Sequence, residues 1–383
     1  MKHRRFNRSR FARRRGSVLG LTAVLMIVLI AFLAMAIDIG YLYTMRAELQ
    51  RAADSAAIAA TWELIDKNGK SGTETADSLT TSAQSKAVQF AALNKVGNAA
   101  PGLAGSDVVV GYMSDPSDPT CPLIATPSGL LPNAVQVRVQ RTGDQNGQVP
   151  LFFARVLGAS QQSLTAQGTA AFVNTFSGFK APADGSNLNI LPFALDLDTW
   201  NSLSASGTDS WSYDSGTGTV TAGGDGVKEV NLYPQGTGMP GNRGTVDLGS
   251  SNNSTADIAR QIRSGISASD LSYLGGSIQF NSSGELYLNG DTGISAGVKD
   301  DLVSVIGKPN IIPIFNKVVG PGNNATYTIV KFVGVRVMDV KLTGSMASKA
   351  VMIQPCNVAM KGGIFDPNGS ASQYVYSPVW LVR

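Results

Sequence analysis

The longest hydrophobic pattern in the chain is an unbroken one. From Val18 to Ile37 the sequence reads VLGLTAVLMIVLIAFLAMAI, twenty residues without a charge. At 1.5 Å per helical residue this run covers the roughly 30 Å hydrocarbon core of a bilayer, so it predicts a transmembrane helix. Helical patterning continues beyond it. Leu42, Met45, Leu49, Ala52, Ala56 and Ala59 alternate steps of three and four, which is one helical stripe. Arg46, Glu48, Arg51 and Asp54 lie off the stripe, with Glu48 to Arg51 and Arg51 to Asp54 at supportive spacing. A single helix from Val18 to about Leu64 would be roughly 70 Å long and would carry the rest of the chain on a stalk. The stripe has two readings: it packs on its own domain, or its small alanines admit a partner helix closely, as in a helix-mediated oligomer.

After the stalk, Thr75 to Asn94 predicts a second helix with Ala76, Leu79, Ala83, Ala87, Phe90 and Leu93 on or near one face, antiparallel to the first. Ala134 to Arg141 alternates apolar and polar residues, the mark of a half-buried strand. Val149, Phe152, Phe153, Val156 and Leu157 have helical spacing with Pro150 suited to a start, and Leu164 to Val173 is extended. In the second half, strands such as Ser277 to Phe280 and Glu285 to Leu288 flank the turn Asn281-Ser282-Ser283-Gly284. Helices are expected over Thr255 to Ser264, capped by Ser254 with Ile258 and Ile262 inward, and over Ser295 to Ile306, with Val298, Leu302 and Val305 inward. Thr326 to Leu342 is apolar on both faces and should be a central strand.

The fold class expected is therefore α+β: a basic tail (1–17), a transmembrane helix (18–37), a helical stalk and hairpin (38–100), a small α+β unit (101–176), a Gly/Ser/Asp-rich linker (177–187) and a β-rich α+β domain (188–383).

Charge sets the orientation. Residues 1–17 hold eight Lys and Arg and no acid, while the other 366 carry 23 basic against 27 acidic groups, a net of −4. The basic cluster directly before the apolar run, with Asp38 directly after it, puts the N-terminus in the cytoplasm and the bulk outside. A body of that charge offers no argument for nucleic acid. Ala34-Met35-Ala36 has the small-x-small form of a signal-peptidase site, so release by cleavage after Ala36 is the competing expectation.

The residues that surround the run resemble a family. Arg14-Arg15-Gly16-Ser17, then Asp38-Ile39-Gly40, then Glu48-Leu49-Gln50-Arg51-Ala52-Ala53-Asp54-Ser55-Ala56-Ala57 are similar to the N-terminal anchor of TadG-like proteins of the bacterial tight-adherence (Flp) pilus assembly system. Pro132 to Val135, Leu151 to Gly158 and Ala166 to Ala171 extend the resemblance into the exported part. Leu21 stands where related pseudopilins carry a glutamate. The resemblance implies a single-pass inner-membrane protein with a periplasmic body, whose partners are the lipid bilayer and other pilus-assembly proteins or pilins.

Chemistry is sparse. The one histidine, His3, lies in the basic tail, so no Ser-His-Asp, Cys-His or imidazole-zinc machinery fits the body. Asp115 with Asp118 and Asp196 with Asp198 are close carboxylate pairs that complete no calcium loop, and Thr343 to Ser348 reads as a turn with Lys341 where an adhesion-domain metal ligand would stand. No catalytic residue, metal or cofactor is expected. Cys121 and Cys356 are a candidate disulfide, since an exported compartment is oxidising; the alternative is two buried thiols. The function expected is a non-enzymatic, membrane-anchored role in assembling, anchoring or stabilising a tight-adherence pilus; the alternative is an exported adhesin or matrix protein freed after Ala36. The residues on which that role would turn are Asp38 at the membrane exit and the stripe Leu42, Met45, Leu49, Ala52, Ala56 and Ala59.

Overall fold

The computed structural model describes residues 17–68, 75–232, 243–249, 254–291, 293–320, 324–345, 348–367, 369 and 372–382. The basic tail expected at 1–17 lies outside them but for Ser17.

Helix α1 runs unbroken over Ser17–Asn68, 52 residues and about 78 Å. Its two halves have opposite surroundings. No residue from 18 to 37 is buried, whereas Met45, Leu49, Ala52, Ala53, Ala56, Ala57, Ala60, Leu64 and Ile65 are all in a core. The second half is therefore no free-standing stalk. It is the central rod of the domain, because a helix so rich in alanine lets backbone approach it from two sides.

Helix α2, Ala76–Leu93, covers one side. Thr75 caps it reciprocally with Ser78: the Ser78 N–H donates to Thr75 Oγ1 at 3.2 Å and the Thr75 N–H to Ser78 Oγ at 3.1 Å. Leu79, Ala83, Ala87 and Ala91, four apart, form its buried edge. Lys86 reaches Glu63, Asn94 reaches Ser55 and Gly97 reaches Glu48, so the pair is antiparallel.

An antiparallel sheet covers the other side, in the order Val108–Gly111, Ala134–Arg141, Leu164–Ala171, Trp380–Leu381. Val135, Val137 and Val139 face α1 and the alternate polar residues face outward, as the period of two predicts. Trp380–Leu381 joins this first sheet from the far end of the sequence, so the last strand of the segment 188–383 packs with the unit formed by the first half.

The second body is built on a sheet that closes on itself. Strand Ala325–Lys341 pairs with Leu286–Asp291 on one edge and Pro309–Val319 on the other, and Arg243–Val246 and Phe193–Asp196 complete the ring. Closure leaves no open edge among these five strands. Tyr327 fills the space beside Gly244 and Gly290, where a Cβ would meet its ring or hydroxyl, and its ring stands edge-on to Phe315 with centroids 4.9 Å apart. Burial pushes its phenol up to about 12. As expected, Ala325–Lys341 is buried on both faces along most of its length, and its second half also pairs with Ala350–Pro355.

Several local expectations shift. Phe176–Lys180, which overlaps the start of the segment read as a linker (177–187), is a strand between Ser277–Gln279 and Gly363–Phe365; its buried Phe176 and Phe179 drive it inward, and Gly178 lets the backbone of Ile278 come close. The turn at 281–284 forms, but the strands on either side join different sheets. Thr255–Ser264 forms with Ser254 accepting from the Asp257 N–H, and Ile258 and Ile262 are inward. The helix expected over 295–306 is shorter: a 3₁₀ turn at Ala296–Val298 leads into Lys299–Val303, with Val298, Leu302 and Val305 buried. The helix expected from Pro150 is replaced by a two-residue strand, Val149–Pro150, and a single 3₁₀ turn, Ala154–Leu157, closed by Gly158 in the left-handed region at φ 89°.

Candidate functional site

The site is the place where α1 enters the folded domain. Asp38, the first residue after the uncharged run, is only 4% exposed. Its carboxylate accepts three consecutive backbone N–H groups, from Phe152 at 2.8 Å, Phe153 at 3.0 Å and Ala154 at 2.7 Å. These are the donors left free at the start of the 3₁₀ turn Ala154–Leu157, whose own N-cap residue, Phe153, supplies no side-chain acceptor. Asp38 thus caps that turn from across the fold. Burial opposes its charge, but the N–H groups of Ala154, Phe152 and Phe153 and the nearby Arg155 outweigh it and hold the carboxyl below its ordinary value. One turn further along, the Tyr41 ring meets Phe152 edge-on, centroids 5.1 Å apart. The turn is rooted by buried Val149 and Leu151, yet Phe152, Phe153, Val156 and Leu157 project outward.

Beyond Asp38 each position of the stripe has an intramolecular partner. Leu42 packs at the rim of the core, Met45, Leu49, Ala52 and Ala56 are buried against α2 and the sheet, and Ala59 is buried at the edge of this cluster, beside a groove lined by Ile58, Trp62 and Phe90. The stripe is filled by the chain's own domain, which is the first of the two readings of it. The polar residues between are tied down as well. Glu48 accepts from the Gly97 N–H at 2.7 Å; Gln50 donates to Asp54 at 2.8 Å and to the Gln167 carbonyl at 2.9 Å; Ser55 accepts from Asn94 at 3.0 Å. Gly168 lies so close to α1 that a Cβ there would sit 3.0 Å from the Asp54 Cα. Neither Gly168 nor the 152–154 backbone stood out in the sequence. A glycine inside a strand pattern is the signal that could have located the first.

Cys121 and Cys356 are both free and buried, the arrangement of the second of their two readings. They belong to different surroundings: Cys121 clusters with Met113, Ala134 and Ala171 beside the first sheet, while Cys356 pairs its backbone with Gly334 of the second body. Burial raises the Cys356 thiol. Among the acidic pairs, Asp115 and Asp118 close local turns onto Ser117 and Thr120, and Asp196 caps the helix Leu197–Asn201. Among the described residues no group of three or more His, Cys, Asp or Glu could hold a metal ion. The arrangement at Asp38 is mechanical: it fixes where a loop sits relative to the end of an apolar helix.

Residues 16–63 match the family described as Flp pilus-assembly TadE/G-like. Over this span the chain is similar to TadE/G-like proteins. A second family, Tad-like Flp pilus-assembly, matches residues 51–170, so the two matches together run from before the apolar helix to the third strand of the first sheet. No curated protein and no solved structure matches. The matched span coincides with the first body less its last strand: α1, α2 and the strands that wrap them. Within the matched region, the Ala-Ala-Asp-Ser-Ala-Ala segment at 52–57 is a packing code: its alanines face two neighbours, Ser55 accepts from Asn94 at the end of α2, and Asp54 accepts from Gln50 of α1 itself. The family supports a role in Flp pilus assembly, and α1 carries a segment long and apolar enough to cross a membrane.

Proposed function

We propose that this protein is a single-pass, non-enzymatic component of a tight-adherence pilus assembly machine, with its N-terminus in the cytoplasm and its folded body in the periplasm. The observation that carries the reading is the division of α1 at Asp38. On one side twenty residues are apolar and uncovered, which only a lipid or protein environment would tolerate. On the other side the same helix is the core of the exported domain. Force on the body is therefore transmitted directly to the anchor, with no flexible joint among residues 17–68.

The division also weighs against release after Ala36. The small-x-small site lies inside continuous helix, and Asp38, two residues beyond it, is already bonded into the domain. The proposed partners are the bilayer, which takes residues 18–37, and pilins or other assembly proteins, which meet the periplasmic surface.

A deletion in the parent bacterium tests this reading. Assembled pili should be lost, restored by the full chain, and not restored by a version that starts at Ile37 behind an efficiently cleaved signal. Normal piliation in the deletion strain would overturn the assembly role. Full restoration by the released version would overturn the anchor.

A further inference from the structure

The segment Phe152–Leu157 is an ordered turn that presents apolar side chains to the outside. Val156 is 90% and Leu157 79% exposed, and Phe152 and Phe153 are 56% and 45% exposed. An exposed cluster of this kind on a well-anchored turn marks an interaction surface. Its position selects the partner. Three bonds tie the turn to Asp38, which is one residue, about 1.5 Å along the axis, past the end of the uncharged run. When that run spans a bilayer, the turn lies at the level of the headgroups, beside the exposed Ile37 and Ile39 of α1 itself. The apolar surface of the turn is thus continuous with the lipid-facing surface of the helix. Arg155 is the one charge between Val149 and Ser163, and it sits where an interfacial basic residue meets lipid phosphates.

We infer that Phe152–Leu157 is a second membrane contact, dipping into the outer leaflet of the inner membrane beside α1, with Asp38 as the positioning residue that holds it at that depth. The occupant of this surface is lipid. Two contacts side by side restrict the tilt and rotation of the body on the membrane, which a single helix leaves free. The inference rests on the anchored reading above.

The test uses the full chain reconstituted into vesicles of phosphatidylethanolamine and phosphatidylglycerol, with an environment-sensitive fluorophore on Val156→Cys or, as a control for the anchor, on Leu29→Cys. Both native thiols are buried, and unsubstituted protein sets the background. The Val156→Cys label should be quenched several-fold more by nitroxides on the upper acyl chain than by iodide in the water, and the Leu29→Cys label by nitroxides near the bilayer centre. A Val156→Cys label open to iodide, with Leu29→Cys still in lipid, would overturn this inference and leave the anchor standing. Shielding of Val156→Cys from both quenchers would mean that protein covers the turn, and would also overturn it. If neither label meets lipid, the anchored reading falls as well. Adding Asp38→Ala should remove most of the lipid quenching at Val156→Cys and leave Leu29→Cys unchanged; no change at Val156→Cys would overturn the positioning role of Asp38.

Discussion

At the scale of single residues, Asp38 and Gly168 show two ways in which one side chain, or the lack of one, fixes a fold. Asp38 supplies an acceptor for three N–H groups at once, so replacing it with alanine leaves three donors without their partner. Asp38→Ala should speed amide exchange at Phe152, Phe153 and Ala154 by at least about tenfold, the equivalent of roughly 1.4 kcal/mol in local opening. Unchanged exchange would show that the turn holds itself. Because the carboxyl is held below its ordinary value of 3.8, its contribution is complete above that value. It is lost only as the pH falls through the lower, folded value, so the same amides should stay protected through neutral and mildly acid conditions. Gly168 acts by absence. Gly168→Val would drive a side chain into the Asp54 backbone, and overpacking of this kind costs about 1–3 kcal/mol. Thermal unfolding of the body should show that loss, and a neutral substitution would contradict the close approach. The sequence marked Asp38 by its place after the apolar run. It could not show what the carboxylate binds, because the three donors lie more than a hundred residues away.

At the scale of elements, helix and strand were legible where a periodic face meets a core, and misread where an apolar face meets something else. Thr255–Ser264, with its cap and two inward isoleucines, and the long strand Ala325–Lys341 form where the pattern placed them. The residues from Val149 to Leu157 have helical spacing too, yet only one 3₁₀ turn forms, since Pro150 sits in a strand and Gly158 ends the turn. Four of those apolar residues, Phe152, Phe153, Val156 and Leu157, are exposed rather than buried in a core. Helix α1 was legible in length, but periodicity alone does not say what fills a stripe, and the filling by α2 and the first sheet is a long-range fact. The same holds for the cysteines. Each is enclosed in its own surroundings, so a thiol reagent should modify neither in the folded protein and both after denaturation without reductant. Denatured, non-reduced protein that fails to label would restore the disulfide.

At the scale of the whole molecule, the chain is a rod with two bodies attached. The first wraps the second half of α1; the second is a closed sheet, bound back to the first by the strand Trp380–Leu381, by the edge-on rings of Phe172 and Tyr376 and by the Asn357 side chain, which donates to the Ile65 carbonyl near the end of α1. This return of the C-terminal residues could not be read from a short terminal strand with no marked pattern, which is why the domain division expected from composition ends differently from the packing. The segment proposed to span the bilayer and the core of the body are one helix, and the proposed anchor requires that they remain joined in the cell. Determining the N-terminal sequence of the mature protein recovered from membranes tests this most directly. A start upstream of Val18 is the predicted result; a start at Ile37 would contradict it.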